Sequence, residues 1–193
     1  MVYATTTNLK QYLGITTTGD DALLAVLLTA AQSVVEGPYP GTDRKWEARS
    51  ETRYYDYQSP TRLDLDDDLI SVTTLTNGDG ETLTEDTDFY LRPYAGPPYR
   101  WIEIKTDGGE NFQYSGTLQK AINIVGSWGY TTTAPQRIVQ ATKRLAAYYY
   151  HQKDAGVYDV TATPELGIIT VPQGIPADVM KLLHANRKKF MLG

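Results

Sequence analysis

The sequence predicts an α+β chain in which a small helical core is interrupted by an antiparallel sheet. Three observations predict it. Leu/Ala-rich stretches with helical spacing stand near both ends, over residues 7–35 and again from Pro135. Between them, over residues 52–130, β-branched and aromatic runs are separated by Gly, Pro, Asn and Asp. The links between those runs are short, which favours antiparallel pairing.

Each element follows in order. "TNLKQYLGI" reads as a short helix, with Leu9 and Leu13 four apart and Gly14 as its stop. Asp20 and Asp21 open a second helix, where carboxylates suit the positive N-terminal end. Leu23, Leu27, Ala30 and Val34 form one apolar stripe along it; Leu24, Leu28, Ala31 and Val35 form a second beside it. Two adjacent stripes predict a helix buried between others. "EGPYPG" ends it.

"TRYYDYQ", "RLDLDD", "LISVTTLT", "DFYLRP", "RWIEIKT" and "AINIVGSWGY" then read as five or six short strands. Asn77-Gly78-Asp79-Gly80 is a hairpin signal between two of them. Pro135 sits where a first-turn proline is welcome, and Ile138, Ala141 or Thr142, Leu145 and Tyr149 share one face of the helix it opens. Residues 156–174 resemble a hairpin with Pro164 and Glu165 near its tip. Pro176 opens a last helix, predicted to run to Phe190 with Val179, Leu182 and Leu183 inward. The expected division is residues 1–51 and 131–193 as helical core and 52–130 as β-insert.

Composition narrows the function. The 193 residues contain no cysteine, which removes disulfides, thiol nucleophiles and Cys-based zinc sites together. Mean hydropathy is -0.39, and no apolar run approaches the roughly 18 residues of a membrane span. No secretory signal is visible at the start, and no membrane association is expected. The net charge of -5 argues against general affinity for nucleic acid. The charge is uneven. Nine carboxylates and no Lys or Arg lie between Leu63 and Leu91, whereas Lys181, Arg187, Lys188 and Lys189 follow Val179 with no acid. Opposite poles on one chain suit self-assembly or docking to a charged partner.

Catalytic chemistry finds little support. His151 and His184 are the only histidines, and surface or capping roles explain both. No Gly-x-Ser-x-Gly or His-Glu-x-x-His pattern occurs, and "GTDRKWE" lacks the Gly-Lys-Ser/Thr of a phosphate loop. "DLDDDLISVTTL" fails as an EF-hand loop, because its sixth and twelfth positions are Leu69 and Leu75 in place of Gly and Glu. Strand alternation would place Asp64, Asp66 and Asp68 on one face, either as solvated carboxylates or as a looser Ca²⁺ or Mg²⁺ site. The solvated reading is adopted, so neither metal nor cofactor is expected. The 15 tyrosines could form a stacking platform for sugars or bases, but Tyr55 alternates away from Tyr54 and Tyr57, and Tyr148, Tyr149 and Tyr150 spread around a helix. Protein–protein contact is the better reading.

One stretch joins the two parts. "AINIVGSWGYTTTAPQRIVQATKRLA" passes from strand to helix through Gly126, Trp128, Gly129 and Tyr130. Gly126 marks a close approach within a strand, and Gly129 a tight bend. Trp128 and Tyr130 are expected to pack at that corner, between the sheet and the helix starting at Pro135.

Four segments in order carry a resemblance: "NLKQYLGI" followed by "DDALLAVLLTAAQSVVEGP"; "LISVTTLTNGDGETL" with "DTDFYLRP"; "IVGSWGYTTTAPQRIVQATKRLAAYYY"; and "IPADVMKLLHANRKK". Together they resemble the head–tail connector (adaptor, or head-completion) proteins of tailed bacteriophages and gene transfer agents. The long β-insert departs from the smallest members, which are nearly all helical. The resemblance implies a non-enzymatic virion protein, assembled in the host cytoplasm. It implies a ring, commonly of twelve copies, beneath the portal. That ring extends the DNA channel without sequence-specific binding and seats the next neck or tail component.

It further implies portal docking through the C-terminal segment, here Lys181, Leu182, Arg187, Lys188, Lys189 and Phe190. A subunit or channel contact falls to the hairpin carrying Tyr158, Val160, Pro164, Glu165, Ile168 and Ile169. Asp64, Asp66 and Asp68, or Glu165, are expected to border the lumen, where negative charge lets DNA slide. Two other readings remain: another neck, tail-completion or stopper protein, and a carbohydrate- or nucleotide-binding module built on the Tyr-rich insert.

Overall fold

The computed structural model describes residues 3–155, 161–163, 168–170 and 174–188, with backbone only for 154–155, 161–163 and 168–170. The described residues form an α+β fold with four helices, a six-stranded antiparallel sheet and a separate two-stranded pair. The chain divides into two compact units, Met1–Asp43 with Ala134–Gly193, and Arg44–Thr133.

The first unit is helical. Helix α1 (Thr6–Leu13) starts at Thr5, whose hydroxyl accepts the Asn8 N–H at 3.1 Å, and stops at Gly14. Helix α2 (Asp21–Glu36) buries Leu24, Leu28, Ala31 and Val35. The second stripe expected beside these does not go inside. Leu23 and Ala30 are exposed, Leu27 and Val34 are half-buried, and Val26 is 64% exposed. Helix α2 therefore has one buried face, because α1 and α3 cover only one side of it.

Helix α3 (Gln136–Ala155) is the hub. It packs against α1, α2 and α4 (Ala177–Asn186), burying Ile138, Ala141, Thr142 and Leu145. Asp20 and Asp21 do more than favour the helix dipole. The Tyr150 hydroxyl donates to Asp20 at 2.6 Å and Lys153 approaches it at 3.5 Å, while Lys10 pairs with Asp21 at 2.7 Å. The start of α2 is thereby tied to both α3 and α1. In α4, Val179 and Leu183 are buried, whereas Leu182 is only half-buried.

Strand β1 (Arg49–Tyr55) begins the second unit, followed by β2 (Arg62–Thr76), β3 (Thr82–Leu83), β4 (Phe89–Arg92), β5 (Tyr99–Ile104) and β6 (Ile122–Trp128). The sheet order is β1-β6-β2-β5-β4, with β3 on β2 and all pairs antiparallel. "RLDLDD" and "LISVTTLT" are not two strands but one, β2, of 15 residues. Its first part pairs with β5 and its second with β6. Leu69 belongs to both ladders, opposite Tyr99 and Trp128. Register shifts between Asp64 and Leu69, and again before Ser71 and Thr74, bend the strand between its two partners.

The core beneath it contains Leu63, Leu69, Leu75, Phe89, Ile102, Phe112, Ile122, Ile124 and Trp128. The Asn77-Gly78-Asp79-Gly80 turn joins β2 to β3. The Asn77 side chain also accepts from Gln113 N–H at 2.9 Å and donates to the Asn111 carbonyl at 2.9 Å, fixing the loop before β6. Strands β7 (Thr161–Thr163) and β8 (Ile168–Thr170) pair only with each other among the described residues.

Candidate functional site

The strand-to-helix seam is held by close backbone and side-chain bonds within the β-unit. Gly126 lies opposite Glu51 of β1 and Val72 of β2 at once, so neighbours flank it on both sides. A Cβ there would stand 2.5 Å from the Ser71 carbonyl oxygen, which no side chain tolerates without a shift. Gly129 has φ +150°, and a Cβ would lie 2.6 Å from the Glu47 carbonyl oxygen. Its N–H donates to the Asp68 carbonyl at 2.8 Å, and the Tyr130 N–H donates to Lys45 at 2.8 Å. Glu47 and Thr131 run parallel as a bridge, and the Thr131 hydroxyl donates to the Trp46 carbonyl at 2.7 Å. The chain entering the unit is thus bonded directly to the chain leaving it.

The aromatic residues fill this joint from within the same unit. Trp128 stacks on Tyr55 with ring centres 6.1 Å apart, and its indole N–H donates to the Glu51 carbonyl at 3.2 Å. Tyr130 meets Trp46 edge-on at 5.0 Å, with the Arg44 guanidinium 4.1 Å over its ring. Arg44 and Asp68 form a buried ion pair at 3.0 Å. Sequence reasoning missed Arg44 and Trp46. "GTDRKWE" lacks the phosphate-loop pattern, and the lone Trp beside Arg just before a strand is the available signal.

The three aspartates do not share a face. The register shift after Asp64 breaks alternation, leaving Asp64 and Asp66 exposed while Asp68 is 1% exposed against Arg44. Asp68 is thus buried in an ion pair within the β-unit, unlike Asp64 and Asp66. Among the described residues no group of three or more acidic or histidine side chains could hold a metal ion.

Asp66 belongs instead to a cluster around Arg53. That guanidinium sits 4.2 Å over the Trp128 ring and approaches Glu51 at 2.8 Å, Asp67 at 3.2 Å and Asp66 at 3.4 Å. Burial alone would lower the Arg53 pKa, but the Glu51 hydrogen bond and the Asp67 charge raise it, so the group stays charged. Burial would push Glu51 up, yet Arg53 and Lys45 hold it below its ordinary value. Burial, then the hydrogen bond donated to Asp66, raises the Tyr55 phenol.

The cationic end is only partly within view. The last helix stops at Asn186 rather than running to Phe190, because Arg187 turns extended with ψ 145° and the Lys188 N–H donates to the Thr42 carbonyl at 2.8 Å. Lys181, His184 and Arg187 are exposed; His184 lies 5.7 Å from the Tyr39 ring, and Arg187 5.4 Å over it. Lys189 and Phe190 lie outside the described residues, as do Tyr158, Val160, Pro164 and Glu165; of Ile168 and Ile169 only the backbone is described. No tyrosine platform forms along the first strand: Tyr54 is exposed, Tyr55 is in the core, and Tyr57 packs against Tyr114 at 5.0 Å. No helix among the described residues is long and apolar enough to cross a membrane.

No protein-family model and no curated protein sequence matches the chain. Solved structures do. A chain from the neck of an empty gene transfer agent particle, computed with C6 symmetry, superposes with a TM-score of 0.63 at 22% identity, over 97% of this chain and 91% of that one. The fold is that of a gene transfer agent neck protein. A chain from the neck of the native particle, computed with C12 symmetry, gives 0.59 at 22% identity over 90% and 86%. One from the virion of the native particle gives 0.58 at 20% identity over 97% and 91%. Both the helical and the β-units take part in the likeness, since it spans nearly the whole chain.

Proposed function

We propose that the chain is a structural neck component, an adaptor ring that seats on a portal, continues the DNA channel and receives the next neck or tail protein. The observation that carries this is the match along almost the entire chain to proteins of gene transfer agent necks, some computed with six-fold and some with twelve-fold symmetry. The chemistry of the molecule supports it. Among the described residues, the seam's aromatic and charged side chains are engaged with one another in a packed joint.

In this reading the portal is gripped by Lys181, Leu182, Arg187 and Lys188 with the residues after them. The hairpin of residues 156–174 touches a neighbouring copy or the channel. Asp64 and Asp66 face passing DNA, to which the chain makes no sequence-specific contact. The protein acts in the particle neck and has no catalytic role.

Imaging the purified chain together with its portal tests the reading. The expected result is a ring seated on the portal. A chain that ignores the portal and binds glycans instead overturns it in favour of a carbohydrate-binding module. A chain that binds only a preassembled portal–adaptor complex favours a stopper. Removal of residues 187–193 is expected to abolish docking while the circular dichroism spectrum is kept; docking that survives removal overturns the assignment of the site.

A further inference from the structure

Helix α2 carries no charged residue between Asp21 and Glu36. Its outer side, away from the buried stripe, presents Leu23, Ala25, Val26, Thr29, Ala30 and Ser33 to solvent. Five of these line a shallow, mostly apolar depression. The two hydroxyls do little to make the face polar. Thr29 donates to the Ala25 carbonyl at 3.0 Å and Ser33 donates to the Thr29 carbonyl at 3.0 Å, so both donors are used inside the helix. A solvent-facing helix ordinarily carries charge on its outer side, and this one is apolar on both.

We infer that the outer face of α2 is one half of a head-to-tail contact with a second copy of this chain. The inference rests on the ring reading above and names the surface that reading requires. Charge selects the occupant. The β-unit holds nine Lys/Arg against fifteen Asp/Glu, and the whole chain is at -5, so copies of it repel wherever two acidic surfaces meet. A helix face with no charge is where two copies approach without that cost. A nucleic acid or a strongly charged protein would find no counter-charge here.

Area selects the arrangement. Sixteen residues make a helix roughly 24 Å long, and a face about 10 Å wide covers about 240 Å² per copy. A stable pairwise interface buries about 800 Å² per partner. Two α2 helices facing each other would fall far short of that. One weak contact repeated around a closed ring does not need it, because closure supplies avidity.

The absence of cysteine makes the test direct. Val26→Cys carries the only thiol in the chain and accepts a benzophenone maleimide label. After irradiation of the purified protein, the expected product is a cross-link between α2 of one copy and a segment other than α2 of a second. An α2–α2 cross-link, or none, overturns the inference.

Sedimentation over a concentration series to about 1 mM provides the second arm. Wild type is expected to self-associate, and Val26→Glu with Ala30→Glu to weaken association at least about tenfold, with Gln140→Glu, at an exposed position of α3, as an unaffected control. Association unchanged by the α2 charges overturns this face while the ring reading stands. A wild type that stays monomeric throughout overturns the inference, and the portal imaging above then decides the ring reading separately.

Discussion

The two units handle charge and apolar surface in opposite ways. The β-unit is rich in acids yet turns much of its charge inward. Arg44 with Asp68, and Arg53 with Glu51 and Asp67, are drawn around Trp128, Tyr130 and Trp46, while Asp66 reaches Arg53 from the exposed side. The helical unit has nearly balanced charge, with nine Lys/Arg and eight Asp/Glu, and it leaves an uncharged helix side and a cationic end in solvent. Surfaces already satisfied within a unit have little to offer a partner. Apolar and cationic surfaces left open have more. In the proposed reading the β-unit is the internally satisfied part and the helical unit carries the assembly contacts.

The largest expected effect breaks the inward side of this contrast. Arg44→Ala leaves buried Asp68 with the more distant Arg100 guanidinium at 3.9 Å and is expected to cost about 3 kcal/mol, read as a lower urea midpoint for the chain. A midpoint within error of wild type would mean the joint is not what holds the β-unit. Next comes Gly129→Ala, which places a Cβ against the Glu47 carbonyl at a φ that L residues rarely adopt. It is expected to cost about 1–3 kcal/mol and to lower the thermal midpoint.

Acid should act on the same unit more gently. The folded pKa of Glu51 lies below its ordinary 4.5. Its contribution is therefore fully present above that unfolded value and is lost as pH falls through the lower folded one. The half-exposed pair limits the loss to under about 1 kcal/mol. An acid titration of stability should show it in wild type and less of it in Arg53→Gln. Smallest in stability is the outward side: Val26→Glu and Ala30→Glu should each change the unfolding free energy by less than about 0.5 kcal/mol while weakening self-association. A large loss of stability there would show that α2 is covered within the chain.

Local chemistry was legible in the sequence where one residue type has one strong preference. Gly14 ended a helix, Asn77-Gly78 turned a hairpin, and helical spacing marked Ile138, Leu145, Val179 and Leu183 as buried, though Tyr149 and Leu182 are only half-buried. What could not be read depended on partners distant in sequence. Whether the second α2 stripe is buried depends on how many helices reach it. Whether Asp64, Asp66 and Asp68 alternate depends on the register β2 adopts against β5 and β6. The Arg44–Asp68 pair spans 24 positions and leaves no local signature. Gly126 and Gly129 stood out by residue type alone, but the carbonyls that crowd them, from Ser71 and Glu47, were invisible until the strands were paired.

Cryo-electron microscopy of an assembled neck containing this chain tests the central claim most directly. The account predicts a closed ring in which the outer face of α2 is covered by the neighbouring copy and the Arg44–Asp68 joint is intact inside every β-unit. A ring held together by β-units alone, with Val26 open to solvent in every copy, would contradict it.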